Sequence, residues 1–175
     1  MLGLGNALIY PDPIRCPDIG DRYQGGIVFY LDGDSDCGGL IASPYDNHSG
    51  LDVWGCHGSG ISGADGTDIG TGAQNTIDIL AGCATSGIAA RVAENLTIDG
   101  YDDWYLPSKD ELYLMYQLKT TIGGFDTFFY WSSSEVSTTK AWAQNFGNGG
   151  FPIQSSTNKS SGLFLRAIRT FKQII

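Results

Sequence analysis

The chain has 175 residues, enough for one domain with a sizeable core, and its 25 glycines, 12% aromatic and 17% charged residues describe short strands and ordered loops rather than a helical bundle or a disordered tract. Ten basic against nineteen acidic side chains give a formal charge of -9, the wrong sign for nucleic acid, whose phosphates call for lysine and arginine. No apolar run approaches the roughly 20 residues of a membrane-crossing helix.

Residues 1–19, MLGLGNALIYPDPIRCPDI, lack a basic start before their short apolar run, and Pro11, Pro13 and Pro17 follow closely. This reads as an arm that anchors to an assembly, since a short apolar arm is costly to leave in water, and not as a signal peptide. The domain then spans 20–171, with 172–175 as a tail.

The first strand is expected at 26–31, where Ile27, Phe29 and Leu31 alternate with Val28 and Tyr30, and DGDSDCGG turns the chain into a hairpin partner at 40–42. Asp32, Asp34 and Asp36 alternate as ligands do at the start of a calcium loop. The glycine is misplaced, however, and Ser43 stands where the bidentate glutamate belongs, so an EF-hand is excluded and a solvated acidic turn is preferred to an irregular calcium site. Residues 46–72 form a long glycine-rich loop with Trp54 and Cys56 as anchors. His48 and His57 are nine apart, which suits surface histidines better than a metal pair. The four cysteines, at 16, 37, 56 and 83, contain no C-x-x-C pair and allow three connectivities; Cys56 with Cys83 is favoured, with buried free thiols as the alternative.

Two helices follow, at 76–84 with Ile77, Leu80 and Ala81 inward, and at 88–96 with Ile88, Val92 and Leu96, broken by Gly82 and Gly87. A third starts in WYLPSKDELYLMY, residues 104–116. Pro107 pins the chain, Ser108 is the cap, and Leu112, Leu114, Met115 and Leu118 make an apolar arc. Glu111 falls inside that arc, and the S-x-x-E capping box accounts for it, ahead of a catalytic carboxylate. After a turn at IGGF, strands are expected at 130–133, 141–146 and 163–171, completing an α+β order.

Residues 132–160 mix serine, threonine, asparagine, glycine and isolated aromatics, the composition that recognition loops favour. Ser137, Thr139, Asn145, Asn148, Phe151, Gln154 and Asn158 are the candidate ligand contacts, because amides and hydroxyls match sugar hydroxyls and an aromatic face can stack on a pyranose. The nucleophile elbow, H-E-x-x-H and phosphate-loop patterns are missing, and Asp102 and Asp103 point to opposite sides of an extended chain, so no enzyme is expected. Arg91, Arg166 and Arg169 are expected to be buried partners of carboxylates such as Asp103 or Glu135.

GGIVFYLD at 25–32, GLIAS at 39–43, WGC at 54–56, IGTGAQNT at 69–76, GIAARVAENL at 87–96, GYDDWYLPSKDEL at 100–112, YWSSSE at 130–135, AWAQNF at 141–146 and LRAIRTF at 165–171 run in that order. As a set they resemble the family of domains named for the C-terminal domain of the Legionella collagen-like adhesin, over residues 20–171. The resemblance implies a C-type lectin-like fold, related to the formylglycine-generating-enzyme branch, with the strand at 27–31 paired to the one at 163–171. It gives Trp104, Leu106, Pro107, Trp131 and Trp142 scaffold roles beside Ser108 and Glu111 of the cap. It also implies display on a cell surface or virion, outside the cell, and by analogy a homo-trimer. There is no cysteine after Cys83, which removes formylglycine-type oxidation. The glutamate-proline-asparagine and tryptophan-asparagine-aspartate motifs of calcium-dependent lectins are absent too, so neither calcium nor any other cofactor is called for. The expected function is a non-enzymatic module presenting 132–160 to a glycan or protein receptor. The alternative is a decoration or fibre component of a phage virion, held by the N-terminal arm.

Overall fold

The computed structural model describes residues 15–33, 37–47, 50–147, 149 and 153–172, and the fold is α+β. In chain order it contains strands β1 (Arg22–Tyr23), β2 (Gly26–Leu31), β3 (Gly38–Ala42) and β4 (Asp52–Val53). Helices α1 (Gly72–Gly82), α2 (Ala89–Glu94), α3 (Lys109–Gln117) and α4 (Lys119–Ile122) follow. Strands β5 (Phe129–Ser137), β6 (Lys140–Asn145), β7 (Gln154–Asn158), β8 (Gly162–Leu163) and β9 (Ile168–Lys172) complete the chain.

The first sheet has the order β1-β2-β3-β9, antiparallel throughout. This corrects the expectation that the first and last long strands pair directly. Strand β3 lies between them, with Leu40 facing Tyr30 on one side and Thr170 on the other. The reason lies in the two glycines that open β3: a Cβ on Gly39 would stand 2.0 Å from the Tyr30 carbonyl oxygen, so only glycine lets the hairpin close so tightly. All five residues of β3 are buried, as a central strand requires. Successive residues of β2 serve opposite faces. Val28 enters a cluster with Ile41, Trp54, Ile79, Ile88, Trp104, Leu106 and Trp131, while Phe29 enters a second with Leu40, Tyr105, Leu112, Met115, Tyr130 and Phe146.

Helix α1 begins a turn earlier than its apolar spacing predicts and turns a different face inward. Asn75, Thr76 and Ile79 are buried, and Ile77 is 58% exposed. Hydrogen bonding outweighs the apolar stripe here: the Thr76 hydroxyl donates to the Gly72 carbonyl and accepts from Leu106 N, and the Asn75 amide donates to the Gly66 carbonyl and to Ser133 Oγ. The long loop is not bare, for β4 within it pairs with β8. It is held by Trp54, whose indole donates to the Ser132 carbonyl at 3.0 Å, and by a Cys56–Cys83 disulfide; a second disulfide joins Cys16 to Cys37. The single-turn α4 adds to the three expected helices and ends at Gly123, whose φ of +75° is glycine territory. The third sheet, β5-β6-β7, takes up most of the segment read as recognition loops. Strand β7, Gln154–Asn158, has no apolar alternation to betray it, because it is an edge strand carrying only polar side chains.

Candidate functional site

The corner at 104–111 is built for rigidity. The Ser108 side chain accepts from Glu111 N, and Glu111 returns the bond to Ser108 N, so both halves of the capping box are present. Glu111 also accepts from Gly70 N at 2.8 Å, which ties the start of α1 to the start of α3. A Cβ on Gly72 would lie 2.3 Å from Glu111 Oε2, so α1 needs glycine at its first residue. With 0% exposure, Glu111 has its pKa raised by burial, against the pull of the backbone N–H groups of Ser108 and Gly70. A carboxylate spent on two backbone clamps and closed to solvent is a structural group.

Three cations from the C-terminal part of the chain fasten the loops. The Arg166 guanidinium, fully buried, donates to Asp46 Oδ1 at 2.7 Å, to the carbonyls of Ser43, Gly123 and Gly124, and lies 4.1 Å from the Phe125 ring centre. Burial lowers its pKa and Asp46 opposes the shift. The same Asp46 accepts from the Tyr130 hydroxyl, whose pKa is raised by burial first and by Asp46 second. Arg169 grips Asp103 with two nitrogens, the second at 2.9 Å, and its guanidinium carbon stands 4.2 Å from the centre of the Tyr101 ring. Lys159, with a side chain 0% exposed, donates to Glu135 and to the Ser59 carbonyl beneath the Trp54 ring, and Glu135 in turn accepts from Ile61 N at 3.0 Å. The expected partners therefore stand corrected in part. Asp103 goes to Arg169, but Glu135 goes to Lys159, Arg166 goes to Asp46, and Arg91 reaches the half-exposed Glu94 at 3.8 Å and donates to the carbonyls of Leu80 and Cys83.

The candidate ligand contacts divide between the two ends of the β5-β6-β7 meander. Ser137 pairs with Lys140, and Lys140 with Asn158, so Ser137, Thr139 and Asn158 share the end formed by the β5–β6 hairpin. Asn145 and Gln154 lie at the other end, about 16 Å away at 3.3 Å per residue. Asn148 and Phe151 lie outside the described residues. At the far end the polar groups are already engaged: Asn145 Oδ1 accepts from Gly147 N, and the Gln154 amide donates to the Lys109 carbonyl. Trp142, half-buried, pairs with Ser156 midway along the ladder and is covered by the Lys109 ammonium at 5.1 Å.

At the hairpin end the polar groups are engaged with near neighbours as well: Ser137 Oγ accepts from Thr139 N at 3.3 Å, and Asn158 Oδ1 accepts from Ser160 N at 2.9 Å. Gly58 N donates to the Thr138 carbonyl and Lys159 N to the Thr139 carbonyl, which seats the hairpin against the long loop. Beside it opens a cavity of about 190 Å³ lined by Val53, Gly55, Cys56, His57, Thr85, Lys159 and Ser160. Ser137, Thr139 and Asn158 do not line it; Asn158, exposed, precedes its lining residue Lys159, and Asn158 Oδ1 accepts from the Ser160 hydroxyl at 2.7 Å. Sequence reading missed Val53, His57, Thr85 and Ser160 as parts of this site, since they meet only through the Cys56–Cys83 disulfide and the packing around Lys159. Asp32 is exposed, and Asp34 and Asp36 lie outside the described residues; among the described residues no group of three or more His, Cys, Asp or Glu is arranged to hold a metal. Among them, too, no helix is long and apolar enough to cross a membrane.

Residues 45–169 match the family model described as the Lcl C-terminal domain. None of the curated proteins matches the chain.

Proposed function

Since the chain belongs to the Lcl C-terminal domain family, an adhesin-type surface domain, we propose that it is a non-enzymatic recognition module that binds a glycan or protein receptor at the hairpin end of its β5-β6-β7 sheet. The observation that supports this reading is the convergence of Ser137, Thr139 and Asn158 on one end of the sheet, where the Thr139 carbonyl accepts from the N–H of Lys159, a lining residue of the His57 cavity, on a base made rigid by the buried Lys159–Glu135 pair. Hydroxyl and amide groups offer donors and acceptors in the density that sugar hydroxyls or a peptide backbone require, and Val53 with the imidazole edge supplies an apolar wall. Preorganisation matters as much as the contacts, because a loop already fixed loses little entropy on binding. Two disulfides suit an oxidising, extracytoplasmic setting, on a cell or virion surface. The calcium-lectin motifs are absent from the chain, so binding is expected to be independent of calcium.

The test is a glycan array and a cell-binding assay with three folded proteins: the intact chain, Ser137, Thr139 and Asn158 changed to alanine together, and Asn145 and Gln154 changed to alanine together. The first variant should lose binding at least tenfold, the second should keep it, and a chelator should change neither. Loss confined to the second variant would move the site to the far end; no ligand for any of the three would remove the recognition reading.

A further inference from the structure

We infer that the free edge of β7 pairs, antiparallel, with the β7 edge of a second copy of this chain, about a two-fold axis at Ser156. This goes beyond ligand recognition and rests on main-chain geometry. Asn145 N donates to the Ile153 carbonyl and Lys159 N to the Thr139 carbonyl, both at 2.9 Å, which fixes the phase of the β6–β7 ladder. In an antiparallel pair the backbone groups alternate between facing the partner and facing away. Ser155 and Thr157 therefore turn their N–H and C=O toward β6, and Gln154, Ser156 and Asn158 turn theirs outward. The Asn158 carbonyl accepts from Ser161 N; the other outward groups have no backbone partner among the described residues, and no described strand lies beyond β7.

Natural sheets guard such an edge with charge, proline or a bulge. The β7 sequence QSSTN has no charge and no proline, and its register with β6 runs unbroken from Gln154 to Asn158. The same sequence complements itself. With Ser156 opposite the Ser156 of the second copy, Gln154 meets Asn158 and Ser155 meets Thr157, so amide faces amide and hydroxyl faces hydroxyl along the whole edge. That is the self-complementarity an isologous two-fold contact needs. The three outward residues of each copy would form three facing pairs: the central Ser156 pair exchanges two main-chain bonds, and in each flanking pair the Asn158 carbonyl, already bonded to Ser161 N, accepts a second bond with its other lone pair. Each copy carries a charge of -9, so added salt should strengthen the association by screening.

Sedimentation equilibrium of the intact chain, from micromolar to near-millimolar concentration and in low and moderate salt, should show a monomer–dimer equilibrium that tightens with salt. The described cysteines are all in disulfides, so Ser156→Cys introduces a single thiol. Facing Cα atoms about 5.5 Å apart are within disulfide reach, and mild oxidation should link this variant at least tenfold more than the exposed control Ser160→Cys. Ser156→Pro removes an outward N–H and spares the β6 ladder, and Ser156→Glu sets like charges face to face. Each should weaken the dimer at least tenfold, and agreement between them guards against a local effect of proline. A monomer under all conditions overturns the inference. So does a trimer, a dimer that both substitutions leave unchanged, or an edge that takes up only a foreign extended peptide.

Discussion

Arg166 and Arg169 sit three residues apart, each holds an aspartate, and each stacks on an aromatic ring, yet the two centres are energetically unlike. Asp46 has a side chain 11% exposed and Arg166 none, whereas Asp103 is 53% exposed beside an Arg169 at 7%. Removing one partner at the first centre strands the other in a medium that cannot solvate it. At the second, water takes the place of the lost partner. The contrast teaches that ion-pair chemistry alone says little about what a pair contributes; what surrounds it decides.

Four substitutions probe that contrast. Arg166→Ala should have the largest effect, about 3–5 kcal/mol, because it orphans Asp46 and the carbonyls of Ser43, Gly123 and Gly124 together. In thermal melting that is a fall of roughly 10 °C for a domain of this size. An unchanged melting temperature would mean that the buried centre behaves like the exposed one. Glu135→Ala should follow, at about 3 kcal/mol, since it leaves the Lys159 ammonium buried and Ile61 N without its acceptor. It should also loosen the hairpin end, so ligand binding weakens with stability.

Glu111→Gln should cost about 2 kcal/mol in urea unfolding at neutral pH, because an amide nitrogen would face the donors Ser108 N or Gly70 N. The pH dependence has a definite sign. The folded-state pKa of Glu111 is raised above 4.5 by burial, so the folded protein binds this proton more tightly than the unfolded chain. The contribution is whole below about 4.5 and diminishes as the pH rises from there toward the raised value. The stability gap between the native chain and Glu111→Gln should therefore vary over that window in this sense, and a flat difference would show that Glu111 does not titrate there. Asp103→Asn should be the smallest effect, under about 1 kcal/mol, and should shrink further in high salt.

What could be read in the sequence was local. The cap at Ser108 and Glu111 spans three residues and leaves its whole signature in them. The hairpin at β2 and β3 is written in alternation and a turn. Long-range partners leave no such trace: nothing near Arg166 names Asp46, 120 residues away, and nothing near Glu135 names Lys159. The α1 face was misread because Asn75 and Thr76 become inward residues only when Gly66, Ser133 and Leu106 arrive to bond them. The candidate site was half legible for a related reason. Composition marked 132–160 as a polar segment, but the register of β6 against β7 separates Ser137 and Asn158 from Asn145 and Gln154, and register is a property of the folded pair.

Lys159, Arg166 and Arg169 occupy the stretch Lys159–Arg169, and the carboxylate, ring and carbonyl partners described for them all come earlier in the chain. Synthesis proceeds from the N-terminus, so a nascent chain holds Asp46, Asp103 and Glu135 as unneutralised carboxylates until this stretch has emerged. A chain lacking this stretch would therefore leave Asp46, Asp103 and Glu135 without the cations that hold them. It would also lack β8 and β9, and with them the partner of β4 and the outer neighbour of β3, so the same short stretch that neutralises three separate loops also closes two of the sheets.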